Sequence, residues 1–307
     1  MKYLALLSFA VFLCVAAWVA WQLLALTWIF GKFVVLRLIL RRRQPQRANP
    51  TAAALVRGRM KRMARPTLLL TPTQTPGFSK LGGEPEMPKG SEWPRGADGP
   101  LAFIAQLDLA EVRAAGGPEW LPDAGALYIF NDDNRYGFAD HMRVAYALGD
   151  ERALLPPPPG LSKKKRFAER RVGFLRMTSV PSLDWLGVDL AEAGFSDEEL
   201  DELSEAPGSE FGDELQHRIG GYPSEIQNSQ MSVECEHLAR GLAMDYEAEV
   251  PDAILRASRS WRLLLQVDTD EALGMQWGDG GRLYLFIREQ HARAGKFDKT
   301  VALSQSH

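Results

Sequence analysis

The sequence predicts an α+β fold: a β-rich core of two pseudo-duplicated halves with short helices, preceded by one transmembrane helix. Three observations predict it. The first is repetition: "FIAQLDLAEV" from Phe103 and "DAGALYIF" from Asp123 return as "LLLQVDTDEA" from Leu263 and "DGGRLYLFI" from Asp279. Gln106 and Asp108 thus match Gln266 and Asp268, while "LGGEP" from Leu81 and "IGGYP" from Ile219 stand upstream of each copy. The second is an uncharged apolar run from Tyr3 to Phe30. The third is a division of charge: no acidic residue precedes Glu84, so the first 83 residues carry about +13 and the remainder about −16.

Roughly 20 apolar residues suffice to cross a bilayer, and Trp28 suits the interfacial belt. The run is too long, and its Trp residues too bulky, for a cleavable signal peptide. Only Lys2 precedes it, whereas Lys32, Arg37, Arg41, Arg42, Arg43 and Arg47 come after it. Basic flanks stay cytoplasmic, so the expected address is the inner (cytoplasmic) membrane, single-pass, N-terminus out, with the bulk of the chain in the cytosol. The basic flank is also expected to meet anionic headgroups. Residues 1–40 read as the anchor, 41–65 as a basic juxtamembrane linker and 66–307 as the folded domain. Within that domain a first half spans about 66–150, an insert about 151–209 and a second half about 210–307. An acidic folded part argues against nucleic acid, which needs a basic face.

"TLLL" after Pro66 reads as a first strand. Pro and Gly density from Thr71 to Pro100 reads as an irregular loop carrying Trp93. Leu101–Gln106 is a strand followed by helix-start chemistry, Asp108 with Glu111 as a capping box, and Asp268 with Glu271 repeats it. Both aspartates are therefore expected to cap helices. Gly125 and Gly281 belong to turns that tolerate positive φ, and Gly82, Gly83, Gly220 and Gly221 to Gly-Gly-x-Pro turns. "ALYIF" and "RLYLFI" then read as strands. In the insert, "FSDEELDELSE" is a short helix capped by Ser196. "NSQMSVECEHLARGL" is a second helix capped by Asn228 or Ser229, with Cys235 on its apolar face as a buried thiol. Cys235 and His237 point to different sides of that helix, so no metal site is expected.

No P-loop, dinucleotide fingerprint, nucleophile elbow or zinc-type Cys pair occurs, and no cofactor is implied. The binding candidates are Gln106, Gln266, Trp93, Tyr222, Trp277 and Asp279, a mixture of aromatic area and polar groups beside the repeated turns. Each has a structural alternative: the Trp residues fill core, and a buried Gln must satisfy neighbouring backbone. Two functions are compatible with this. One is a membrane-tethered binding module with a protein or peptide partner. The other is a hydrolase or transferase using carboxylates such as Asp279, Asp132 or Asp133.

"KLGGEPEMP" with "EWP", then "FIAQLDL", "HRIGGYPSEIQ", "WRLLLQVDTD" and "WGDGGRLYLFI", resemble the YwqG-like family, number 1963 among the domains of unknown function. The likeness covers roughly Leu68 to Val301. It implies an α+β domain with a pseudo-duplicated β-rich core, and brings no established activity, catalytic residue or cofactor. The anchor and basic linker are additions to the usual soluble form.

Overall fold

The computed structural model describes residues 50–75, 77–132, 141–149, 151–183, 185–188, 195–196, 198–199, 203, 217–246 and 248–307. The apolar run Tyr3–Phe30 lies outside them, as does Asp133. Among the described residues no helix is long and apolar enough to cross a membrane. The strands and helices belong to the compact unit made of Pro50–Ala193 and Asp197–His307.

Helix α1 (Pro50–Arg62) leads into β1 (Arg65–Pro72). The stretch expected as an irregular loop instead holds four short strands, β2 (Lys80–Leu81), β3 (Glu86–Pro88), β4 (Arg95–Gly96) and β5 (Gly99–Pro100). Next come β6 (Ala102–Asp108), α2 (Leu109–Ala114), β7 (Ala126–Asn131), β8 (Met142–Ala147), β9 (Arg152–Leu154), β10 (Arg170–Ser179) and β11 (Arg218–Gly220). Helices α3 (Met231–Ala239) and α4 (Asp252–Ser258) precede β12 (Trp261–Asp268). Strand β13 (Arg282–Arg288), α5 (Glu289–Arg293) and β14 (Val301–Gln305) complete the chain. The fold is β-rich with few, short helices.

Ten strands form one sheet in the order β14-β13-β12-β11-β1-β10-β2-β6-β7-β8. Its neighbours run antiparallel. Strand side chains alternate between faces, and the alternation is visible in β7 and β13. Leu127, Ile129, Leu283, Leu285 and Ile287 enter the large central core. Tyr128 and Phe130 turn to a smaller cluster with Met87 and Phe103, and Tyr284 and Phe286 to another with Met231, Cys235 and Trp261 beneath α3. Cys235 is fully buried, and burial pushes its thiol up.

The two repeated segments pair alike. In β6–β7, Gln106 faces Tyr128 and Asp108 faces Ala126; in β12–β13, Gln266 faces Tyr284 and Asp268 faces Arg282. Each ladder carries a bulge at the same place, between Phe103 and Ala105 and between Leu263 and Leu265.

The stretch read as an insert contributes to the middle of this sheet. Strand β10 pairs with β1 over eight positions, Arg65↔Ser179 to Pro72↔Val172, and on its other side with β2. Strand β1 pairs in turn with β11. So β1 lies between β10 and β11, and β10 between β1 and β2.

Three further expectations need correction. Asp108 caps α2 as expected, accepting from Ala110 N at 2.8 Å and Glu111 N at 3.1 Å. Asp268 caps no helix. The chain after it closes a tight turn through mutual backbone bonds of Asp270 and Met275, and the Asp270 carboxylate accepts from Leu273 N at 3.3 Å. The Asp268 carboxylate is instead taken by Gln266 Nε2 and Arg282 Nε, each at 3.0 Å. Gly281 has no positive φ; what it needs is space, because a Cβ there would lie 2.2 Å from the Gln305 carbonyl. Helix α3 begins after Gln230 with no side-chain cap, while Asn228 Oδ1 accepts Gln230 N at 2.9 Å in the turn before it. Ser196 is described, but most of the helix expected after it lies outside the described residues.

Candidate functional site

Gln106 and Gln266, both fully buried, satisfy backbone. Gln106 Oε1 accepts Glu86 N at 2.8 Å and its Nε2 donates to Phe78 O at 2.8 Å. Gln266 Oε1 accepts Ser224 N at 2.9 Å. Glu86 and Ser224 each come directly after the proline of a Gly-Gly-x-Pro turn, so one arrangement occurs at both matching segments. Tyr128 and Tyr284, across the ladder from the glutamines, complete it: their hydroxyls donate to the carbonyls of the same residues, at 2.9 and 2.5 Å.

The other sequence candidates scatter. Trp93 donates to Leu101 O at 2.8 Å and packs edge-on to Phe130. Trp277 is buried against Phe167 and donates to Asp268 O at 3.2 Å. Asp279 is exposed at a turn, its carbonyl accepting His307 N. Tyr222 is buried, yet it reaches a concavity: Arg65 Cζ stands 4.2 Å over its ring and Trp185 packs edge-on to it. Burial pushes the Tyr222 phenol up, partly offset by Arg65.

A layer of buried polar groups joins the turns to the ladders. Lys80 faces Gln106 and Arg218 faces Gln266, and both cations are buried. Lys80 Nζ meets Glu169 Oε2 at 2.7 Å. Arg218 Nη2 donates to Ser224 Oγ at 2.9 Å, and burial pulls its guanidinium down to about 10. One position earlier, Ser79 Oγ accepts Asp108 N at 2.9 Å and donates to Glu111 at 2.6 Å. At the matching place His217 Nδ1 accepts Asp268 N at 3.1 Å, leaving its proton on Nε2, 3.2 Å from Asp270 Oδ2. Asp270 also pairs with Arg170. Burial pulls the His217 imidazole down; it would also raise Asp270, but the Arg170 and His217 bonds hold that carboxyl below its usual range. With Nδ1 accepting a backbone N–H, this His–Asp pair is a brace and not a general base.

The feature that sequence reading missed is arginine convergence. A cleft of about 620 Å³ between the Gly116–Trp120 loop and the sheet is lined by Arg65, Arg113, Arg176, Arg262 and Arg293. Glu119 is the one acid among its described lining residues. A second cleft of about 610 Å³ adjoins at Arg65 and is lined by Arg59, Met63, Trp185, Leu255 and Arg259, among others. No spacing links these arginines along the chain, and only the sheet order brings them together.

The carboxylate candidates do not assemble there. Asp132 is buried and meets Lys165 Nζ at 2.6 Å. Asp98, Asp132 and His141 bring one ligand atom each within 4.8 Å of one another, but the lysine ammonium already supplies the cation to Asp132.

Comparison with curated proteins finds no match. One family model, a domain of unknown function (DUF1963), matches residues 79–305.

Proposed function

The chain belongs to the DUF1963 family, a domain of unknown function, and from that premise we propose that it is a membrane-tethered YwqG-like binding module. The N-terminal apolar run holds it at the inner (cytoplasmic) membrane, with the N-terminus out and the bulk of the chain in the cytosol. Its two halves are copies of one unit, a reading supported by the matched registers of the two hairpins. Its partner is a protein or peptide, taken up in the arginine-lined groove. The observation that carries this is that two neighbouring clefts share Arg65 in their linings, one rich in arginine and the other carrying Met63, Trp185 and Leu255, a polar-and-apolar mixture of the kind that receives an extended segment. The hydrolase or transferase alternative is the weaker reading, since Asp132 is spoken for by Lys165 and Asp279 stands at an exposed turn.

A photo-crosslinking residue at Trp120, in the groove, should give a discrete adduct in intact membranes. The same residue at the exposed Leu154 should not. Identical adducts from both positions, or none from Trp120, would discard the groove as the binding site. A reporter active only in the cytosol, fused after His307, should be active; activity of a periplasm-only reporter there would reverse the topology.

A further inference from the structure

Five guanidinium groups in one concavity repel each other unless something negative lies between them. The protein supplies part of that charge. Arg262 and Arg293 share Glu289, each at 2.9 Å, and Arg293 donates to Glu119 O at 3.3 Å. Arg113 pairs with the exposed Asp123 and donates to Leu121 O at 3.0 Å. These bonds fix three arginines in place. Among the described residues no carboxylate lies within ion-pair distance of Arg65 or Arg176. Arg65 is held by its stack on Tyr222; burial works against its charge, and Tyr222 and Glu289, the latter already shared by Arg262 and Arg293, offset only part of that. Arg176 is exposed, its stem lying along Gly116. The cleft thus keeps two guanidinium charges that an incoming anion would neutralise.

The number and kind of donors narrow that anion. One guanidinium fork already fills both oxygens of a carboxylate. A phosphomonoester carries close to two charges and three acceptor oxygens, which several guanidinium groups can share. The cleft exceeds what phosphate alone would fill, and Pro66, Pro118 and Trp120 give it an apolar wall. The adjoining cleft continues past Arg65 over Trp185, Met63 and Leu255. A phosphate on a small body would use one cleft and leave the other; a phosphate on an extended chain uses both.

We infer that the groove recognises a phosphorylated side chain on a partner polypeptide, the phosphate seated between Arg65 and Arg176 and the flanking residues running into the adjoining cleft. This rests on the reading of the groove as a binding site. The test measures calorimetric binding to the detergent-solubilised full chain of a blocked peptide, Leu-Ala-phosphoserine-Ala-Leu, at constant ionic strength. The unphosphorylated peptide, its aspartate version, glycerol 3-phosphate and vesicles containing phosphatidic acid are the comparison ligands. The phosphopeptide should bind at least about tenfold more tightly than any of them, on the scale of one charge-assisted bond or more. Arg176→Gln should weaken it by about tenfold, with Arg176→Lys recovering part; Lys89→Gln, on an exposed residue away from the groove, should leave it unchanged. Arg65→Lys, which keeps the charge and loses the fork, should also weaken it, and the melting temperature of each variant reports whether the fold survives.

Preference for the vesicles would assign the cleft to a lipid headgroup and overturn the inference. So would equal binding of the serine peptide, or an Arg176→Gln variant that binds as the parent does. If the Trp120 crosslink forms while the phosphopeptide fails to bind, this inference falls and the binding module stands. If both fail, the binding module falls too.

Discussion

Tyr284 stands directly across the strand ladder from Gln266, and the two side chains take both backbone polar groups of Ser224. The glutamine accepts its N–H and the tyrosine donates to its carbonyl. Gln106 and Tyr128 do the same to Glu86. The residue after each Gly-Gly-x-Pro turn gives its N–H and its carbonyl to these two side chains, and a backbone group buried unpaired costs about as much as a lost hydrogen bond. The repeated Gln, Tyr and Gly-Gly-x-Pro are three parts of one clamp, which accounts for their recurrence together.

Replacing Gln106 or Gln266 by Leu should therefore cost about 1–3 kcal/mol in urea unfolding, because the Glu86 or Ser224 N–H loses its acceptor. Tyr128→Phe and Tyr284→Phe should cost about 1 kcal/mol each. Gln266→Leu combined with Tyr284→Phe should be less than additive, since both act on one residue. Stability equal to that of the parent in Gln266→Leu would remove the clamp as an explanation.

The clamp shows what was legible. Short-range chemistry came through: the Asp108 cap, the strands at "ALYIF" and "RLYLFI", and the buried thiol of Cys235 on the inner face of α3 are all consequences of local pattern. The expected helix after Asp268 does not form, because Asp270 and Met275 close a turn first. The place of β10 was hidden, since "RRVGFLRMTS" alternates too weakly to advertise a central strand. The arginine cleft was hidden for a stronger reason. Its five guanidinium groups come from β1, α2, β10, β12 and α5, and an acidic overall balance conceals a local basic surface. His217 and Asp270 are likewise 53 positions apart.

The second glycine of each turn has no room for a side chain. A Cβ at Gly221, where φ is +74°, would lie 2.3 Å from Ser179 Oγ; at Gly83, with φ +75°, it would lie 2.5 Å from Glu169 Oε2. Gly90 also has positive φ, but nothing lies within 4 Å of its Cβ position. Gly90→Ala should cost about 1 kcal/mol from the backbone alone. Gly221→Ala should cost about 2 kcal/mol or more, the excess coming from displaced Ser179 and Thr67. Equal losses in chemical denaturation would show that contact contributes nothing there.

Acid should weaken the brace around His217 in a defined window. Burial holds its imidazole below the ordinary 6.5, so the unfolded chain binds that proton more readily than the folded one. The contribution is complete above about pH 7 and declines as pH falls through 6.5 toward the lower folded value. Asp270 is held below the ordinary 3.8, so its share is lost only at still lower pH. His217→Gln should flatten the limb between about pH 7 and 5 and leave the limb below about pH 4. A parent whose stability is constant from about pH 7 to 5 would contradict the assigned protonation.

The central place of β1 in the sheet makes a prediction about the smallest folding unit. The family match begins at residue 79, after β1, yet β1 lies in the middle of the sheet between β10 and β11. It buries Thr67, Leu68 and Leu70, and Thr67 Oγ1 donates to Ile219 O at 3.3 Å. Without it, β10 and β11 become open edges in the centre of the molecule and the core loses a row of side chains. A fragment of residues 50–307 should unfold in one cooperative transition, and a fragment of residues 79–307 should show none. A synthetic peptide of residues 63–74, added to the shorter fragment, should restore part of the transition, because the missing strand supplies both ladders at once. If residues 79–307 melt cooperatively near the temperature of the longer fragment, β1 is an accessory strand.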